Sequence, residues 1–202
     1  DSFLEVGSFK KIANLSETAI TLIQFLKKFE DYYPNLYQKA SQIDIVKLIL
    51  QRIDEVVDKF GIIKDNASPD LIDIRRNINL VREKINQSFG MALSQYNSLG
   101  YLDDIKETVV ENRRVLAVLA MYRRKVKGSI LGNSKTGSIA YIEPEAAQRY
   151  SRELNNLEFE EREEIMRILK RLTNEIRPFT ETIAAYQDFL SDVDVIAAKA
   201  KY

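Results

Sequence analysis

Between Asn112 and Ile142 the chain carries Arg113, Arg114, Arg123, Arg124, Lys125, Lys127 and Lys135, and neither Asp nor Glu. The whole chain is neutral, with 30 Lys plus Arg against 30 Asp plus Glu, so these seven cations leave a formal −7 for the remainder. A neutral molecule has no global field to draw in a polyanion, and any attraction must be local. Guanidinium forks pair bidentately with phosphate oxygens, and Tyr122 and Tyr141 are available for stacking or hydrogen bonding. If the window is read as strands, Arg113 and Arg114 point to opposite faces, as do Arg123 and Arg124, so about four of the seven could meet one ligand. The competing reading pairs these cations with the acidic run from Glu153 to Glu164, or has them keep an exposed hairpin soluble. Complete absence of acids over the window favours phosphate contact.

Other chemistries find little support. The chain has no histidine and no cysteine, which removes imidazole bases, thiolate zinc sites, disulfides and Ser-His or Cys-His nucleophiles. Gly132-Asn133-Ser134-Lys135-Thr136 invites comparison with a phosphate-binding loop. That loop needs glycine directly before the lysine and another five residues earlier, where this chain has Ser134 and Ser129, so a hairpin turn is the better account. Asp103-Asp104 and Glu160, Glu161, Glu163 and Glu164 lack the spacing of a hard-cation loop and read as solvated helix face. The segment is expected to be non-catalytic, with no cofactor and no metal of its own.

The elements that would position the cations follow from periodicity. Phe9, Ile12, Ala19, Leu22, Leu26 and Phe29 form one helical stripe ended by Tyr33-Pro34, and Leu36, Ile43, Val46, Ile49, Ile53, Val56 and Phe60 form a second with Gly61 as C-terminal cap. Ser68-Pro69-Asp70 opens a long helix on the stripe Leu71, Ile74, Ile78, Val81, Ile85 and Phe89, whose polar face, Arg75 and Arg82 included, reads as solvated. Val115 to Leu119, Val126 to Leu131 and Ser138 to Ile142 read as short antiparallel strands, with a turn over Gly132 to Gly137. Pro144, just inside a second long helix, precedes the stripe Tyr150, Leu154, Leu157, Ile165, Ile168, Leu169, Leu172 and Ile176, and Pro178 breaks it. Ile183, Tyr186, Leu190, Val193, Ala197 and Ala200 mark a last helix. The fold class expected is mainly α, with a helical core, long antiparallel helices and a small antiparallel β insertion held out at their far end.

Several separated pieces, in one order, resemble a family. Ser68-Pro69-Asp70-Leu71 with Ile74-Arg75, Asn112-Arg113-Arg114-Val115-Leu116-Ala117-Val118, Tyr122-Arg123 with Val126-Lys127-Gly128, Ser134-Lys135-Thr136-Gly137, Tyr141-Ile142-Glu143-Pro144 and Leu154-Asn155-Asn156 are similar to the second bacterial branch of the MutS proteins, MutS-II. The likeness is best from Ser68 onward. It departs at the turn, where the family often has His-Asp and this chain has Leu131-Gly132-Asn133.

The resemblance implies a division into a helical core (1–67), a first lever helix region (68–108), a small basic clamp-like insertion (109–143), and a returning lever helix with a final core helix (144–202). It implies a DNA-binding and lever segment, the seven cations being the contact residues, in a repair or recombination-control ATPase. The DNA would be branched or duplex and held without sequence readout. ATP and magnesium would belong to an ATPase domain outside this segment, in a parent that is a homodimer and commonly carries a nuclease domain. The alternative is a structural spacer or interaction module contacting protein helices or the ribosome. The start at Asp1, without methionine or leader, suggests an internal piece of a longer polypeptide, and a charge-rich chain without cysteines or membrane-length apolar runs fits the cytoplasm.

Overall fold

In the computed structural model, which describes residues 2–200, the chain forms two compact units, one from the residues up to Ile72 together with those from Glu163 onward, the other Asp73–Arg162. The first is helical. The second is a four-stranded antiparallel sheet with the ends of two long helices, and the fold is mainly α with a small antiparallel β insertion, as expected.

In the helical unit, α1 (Val6–Lys28) buries Phe9, Ala19, Ile20, Ile23 and Leu26. The expected second helix is in fact two, α2 (Pro34–Ala40) and α3 (Lys47–Val56). The break has a partner far along the chain. The Tyr186 hydroxyl, on α6 (Thr180–Ala200), accepts from Val46 N at 2.9 Å and donates to the Asp44 carbonyl at 2.9 Å, satisfying backbone groups that a continuous helix would have used internally. Phe60 is not core and Gly61 caps no helix. Val57 and Ile63 pair as a small β bridge, Asp58 Oδ1 accepts from Phe60 N and Ile62 N, and Phe60 is 75% exposed at the turn.

The two long helices, α4 (Pro69–Ser98) and α5 (Glu145–Ile176), each pass from one unit into the other. At about 1.5 Å per residue each is roughly 45 Å long. Ser68 caps α4 as its sequence suggests, accepting from Leu71 N at 3.1 Å. Its hydroxyl also donates to Glu164 Oε1 at 2.6 Å, and Glu164, only 5% exposed, pairs with Arg167 at 3.1 Å. Glu164 is thus a buried partner rather than solvated surface. In the sheet unit Arg75 reaches Glu161 at 2.7 Å and Arg82 reaches Glu158 at 3.2 Å, so this part of the polar face of α4 meets α5 and the two run antiparallel. The acidic run of α5 is in these cases matched to α4.

The sheet has the order β1-β2-β4-β3, with β1 Leu102–Val110, β2 Arg113–Leu119, β3 Gly128–Asn133 and β4 Ile139–Pro144. Leu116, Val118, Ala140 and Ile142 form its core with Phe89, Ala92 and Tyr96 of α4, so the α4 stripe continues beyond the expected Phe89. The sheet starts ahead of the expected first strand. β1 carries Asp103, Asp104, Lys106 and Glu107, and its pairing shifts between Leu102 and Glu107, so neither propensity nor alternation marks it. Asp103 and Asp104 therefore lie on a strand, not on a helix face. Glu111 and Asn112 close the β1–β2 hairpin, both with positive φ. Pro144 ends β4 instead of opening α5.

Tyr186→Phe removes both ends of the hydroxyl bridge to the α2–α3 link. Stability is expected to fall by about 1–2 kcal/mol, read by urea denaturation, with the sheet unit's secondary structure unaltered.

Candidate nucleic-acid interface

β2 and β3 each run antiparallel to β4, which lies between them, so they are parallel to one another and residues 120–127 must return the chain from the end of β2 to the start of β3. This connection opens with a 3-10 turn over Ala120–Tyr122 and tightens through Arg123 N to Ala120 O and Lys125 N to Tyr122 O. Arg123, Arg124, Lys125 and Lys127 lie on it; Lys127 precedes β3 rather than standing on the strand expected from Val126, and the strand alternation expected of Arg123 and Arg124 does not govern where they point. All four are exposed. Between the last two, Val126 is buried in the sheet core, and Tyr96 Oη accepts from Lys127 N at 3.2 Å. Glu145 N donates to the Lys127 carbonyl at 3.1 Å. The backbone is therefore pinned while its cationic side chains face solvent.

Arg113 and Arg114 have other work. Arg113 Nη1 donates to Glu143 Oε2 at 3.0 Å, and Glu143, 2% exposed, also accepts from Ser151 Oγ at 2.7 Å. Arg114 pairs with Glu107 at 2.7 Å, donates to Asn86 at 3.1 Å and lies 4.3 Å over the Phe89 ring. These two cations are folded back onto carboxylates. Lys135 belongs neither to β2 nor to the connection and is exposed in the turn between β3 and β4, where Gly137 N donates to Ser134 O. The Gly132 to Gly137 stretch thus closes a hairpin, as expected. Among the described residues Arg123, Arg124, Lys127 and Lys135 make no ion pair, and Lys125 lies by the rings of Tyr101 and Tyr122 at 5.6 and 5.5 Å.

Sequence reasoning anticipated the cations and missed what sorts them. Glu143, Glu107, Asn86 and Phe89 come from β4, β1 and α4, and nothing in their local sequence marks them as arginine partners. Tyr122 joins Tyr101 and Tyr96 in a stack that was also not foreseen, whereas Tyr141 stands in β4 opposite Ala117 and Gly132. Among the described residues no three or more Asp and Glu gather as a metal-binding group, and no helix is long and apolar enough to cross a membrane.

The two kinds of cation predict different mutants. Arg113→Ala leaves a buried carboxylate without its counter-charge and is expected to cost about 1–2 kcal/mol, less than a fully buried pair because Arg113 is itself partly exposed. Arg123→Ala is expected to change stability by less than about 0.5 kcal/mol. Chemical denaturation of both variants measures the difference.

No family model matches the chain. Individual proteins do. It is 31% identical over 192 residues to Endonuclease MutS2 of Lacticaseibacillus casei (strain BL23), covering 94% of this chain and 24% of that protein. It is 29% identical over 202 residues to Endonuclease MutS2 of Alkaliphilus oremlandii, covering 99% and 26% respectively. With Endonuclease MutS2 of Pelotomaculum thermopropionicum the identity is 27% over 201 residues, covering 100% and 26%. The chain spans about a quarter of the length of these curated relatives. The motif resemblance and the similarity along nearly the whole chain agree: this protein is homologous to the MutS2 family and corresponds to a segment of a MutS2-like protein.

Proposed function

We propose that this segment holds DNA for a MutS2-like parent, gripping the backbone of duplex or branched DNA without reading its sequence. The reading is carried by the sorting of the cations. Of the seven in the window, Arg113 and Arg114 are paired with carboxylates of the sheet unit, while Arg123, Arg124, Lys125 and Lys127 face solvent from one pinned connection and Lys135 is exposed on the β3–β4 hairpin. Exposed Arg and Lys contact phosphates without information about base identity, and their contribution grows through counterion release.

α4 and α5 are the chain's passages between the sheet unit and the helical unit. That connectivity supports a lever role in which a load on the basic connection is passed along these helices. By family resemblance it would reach an ATPase domain of the parent, where ATP and magnesium are held, in a homodimer.

Titrating the chain with labelled duplex and four-way junction DNA at several salt concentrations tests the reading. The log-log slope is expected near −0.9 per phosphate contact, reaching about −4 if the four cations of the connection each neutralise one phosphate. Replacing Arg123, Arg124, Lys125 and Lys127 together by Ala is expected to remove most of that slope and of the affinity while leaving the helical circular dichroism unchanged. Unaltered binding by this variant rejects the proposal. Purified ribosomes serve as competitor, and a preference for them over DNA at physiological salt supports the interaction-module alternative instead.

A further inference from the structure

Tyr96 of α4, Tyr101 just before β1 and Tyr122 at the end of β2's 3-10 turn form a continuous stack. Ring centroids are 6.3 Å apart for the first pair and 4.5 Å for the second, with interplanar angles of 22° and 20°. Tyr96 is buried at one end, Tyr101 and Tyr122 are half-buried, and among the described residues no further ring lies against Tyr122. Lys125 sits by the rings of Tyr101 and Tyr122. Beside Tyr122, Met121 is 76% exposed, an apolar side chain offered to solvent among cations. A cleft of about 430 Å³, bordered by Gln95, Tyr96, Tyr101, Lys125 and Lys127, adjoins the stack.

A stack serving only to hold the connection in place gains nothing from an exposed methionine beside its last ring. The geometry points to an unpaired nucleobase as the ligand of this stack, its flanking phosphates lying on Arg123, Arg124 and Lys127. The inference rests on the nucleic-acid reading given above and narrows it to strands that carry bases outside a duplex. In a double helix each base face is covered by its neighbours and the grooves offer only edges, so an aromatic platform adds little to duplex binding. An unpaired base extends the stack instead, and any base suffices because every base has a π-face. The hydrogen bond from Lys127 N to Tyr96 Oη ties the cationic connection to the stack's buried ring, so phosphate and base would be received by one rigid piece.

The chain is titrated with a thymidine oligonucleotide, the same oligonucleotide with internal abasic sites, and a duplex of equal length, at matched salt. Removing bases while keeping phosphates is expected to weaken binding about 5- to 100-fold with the salt slope unchanged. Met121→Ala and Tyr122→Leu are expected to shrink that difference. Should Tyr122→Leu misfold, the comparison of thymidine and abasic strands by the unaltered chain still decides. A parallel arm with uridine strands tells whether RNA is taken as well as DNA, the abasic loss being expected in whichever binds. Equal affinity for thymidine and abasic strands with a steep salt slope overturns this inference and leaves backbone binding standing; no binding to any of the three overturns both.

Discussion

The sheet unit depends on keeping one carboxylate satisfied out of reach of water. Glu143 is the next-to-last residue of its strand, at the passage from β4 into α5, and a charge buried there without partners would be destabilising by several kcal/mol. Arg113 from β2 and Ser151 from α5 supply its hydrogen bonds, and Gln148 Nε2 donates to its carbonyl at 3.1 Å. That carbonyl also limits what may stand beside it: a Cβ on Gly128 would meet it at 2.1 Å, so β3 can pair this closely only with glycine at its first residue. Two strands, the start of a helix and the approach of a third strand thereby meet at one residue, through its side chain and its carbonyl.

The same arrangement decides where positive charge is available. In this neutral chain the acids of α5 answer the arginines and the cap of α4: Glu158 and Glu161 with Arg82 and Arg75 in the sheet unit, and Glu164 with Ser68 in the helical unit. The more exposed of these, Arg82 with Glu158, adds little stability by itself. The larger effect of such pairs is on allocation, since carboxylates so engaged, like Glu143 and Glu107, are not the partners of the β2–β3 connection. Charge that cancels over the whole molecule remains uncancelled at one turn.

That turn is built as an anchored presenter. Val126 lies in the core and the Lys127 amide is held by Tyr96, while the side chains on either side of Val126 point outward. A backbone fixed in this way has less entropy to lose on meeting any ligand than a free loop would. The relatives, about four times the length of this chain, bear the name Endonuclease MutS2.

Much of the helical part was legible in the sequence because caps, proline breaks and periodic stripes act between near neighbours. Ser68-Pro69 started α4, Pro178 followed the end of α5, and Leu71, Ile78, Val81 and Phe89 were buried where a 3.6-residue repeat puts them. The basic window and the hairpin over Ser134 to Gly137 could also be read directly, since both are local properties of composition and turn chemistry. The tertiary structure alone decided the rest. β1 is charged and bulged, and only its pairing with β2 makes it a strand; the α2–α3 break is held by a tyrosine 140 residues away in the case of Val46. Likewise, whether an arginine is free for a ligand or spent on a buried glutamate depends on which strands and helices become neighbours, and that contact is not written in the spacing of either residue.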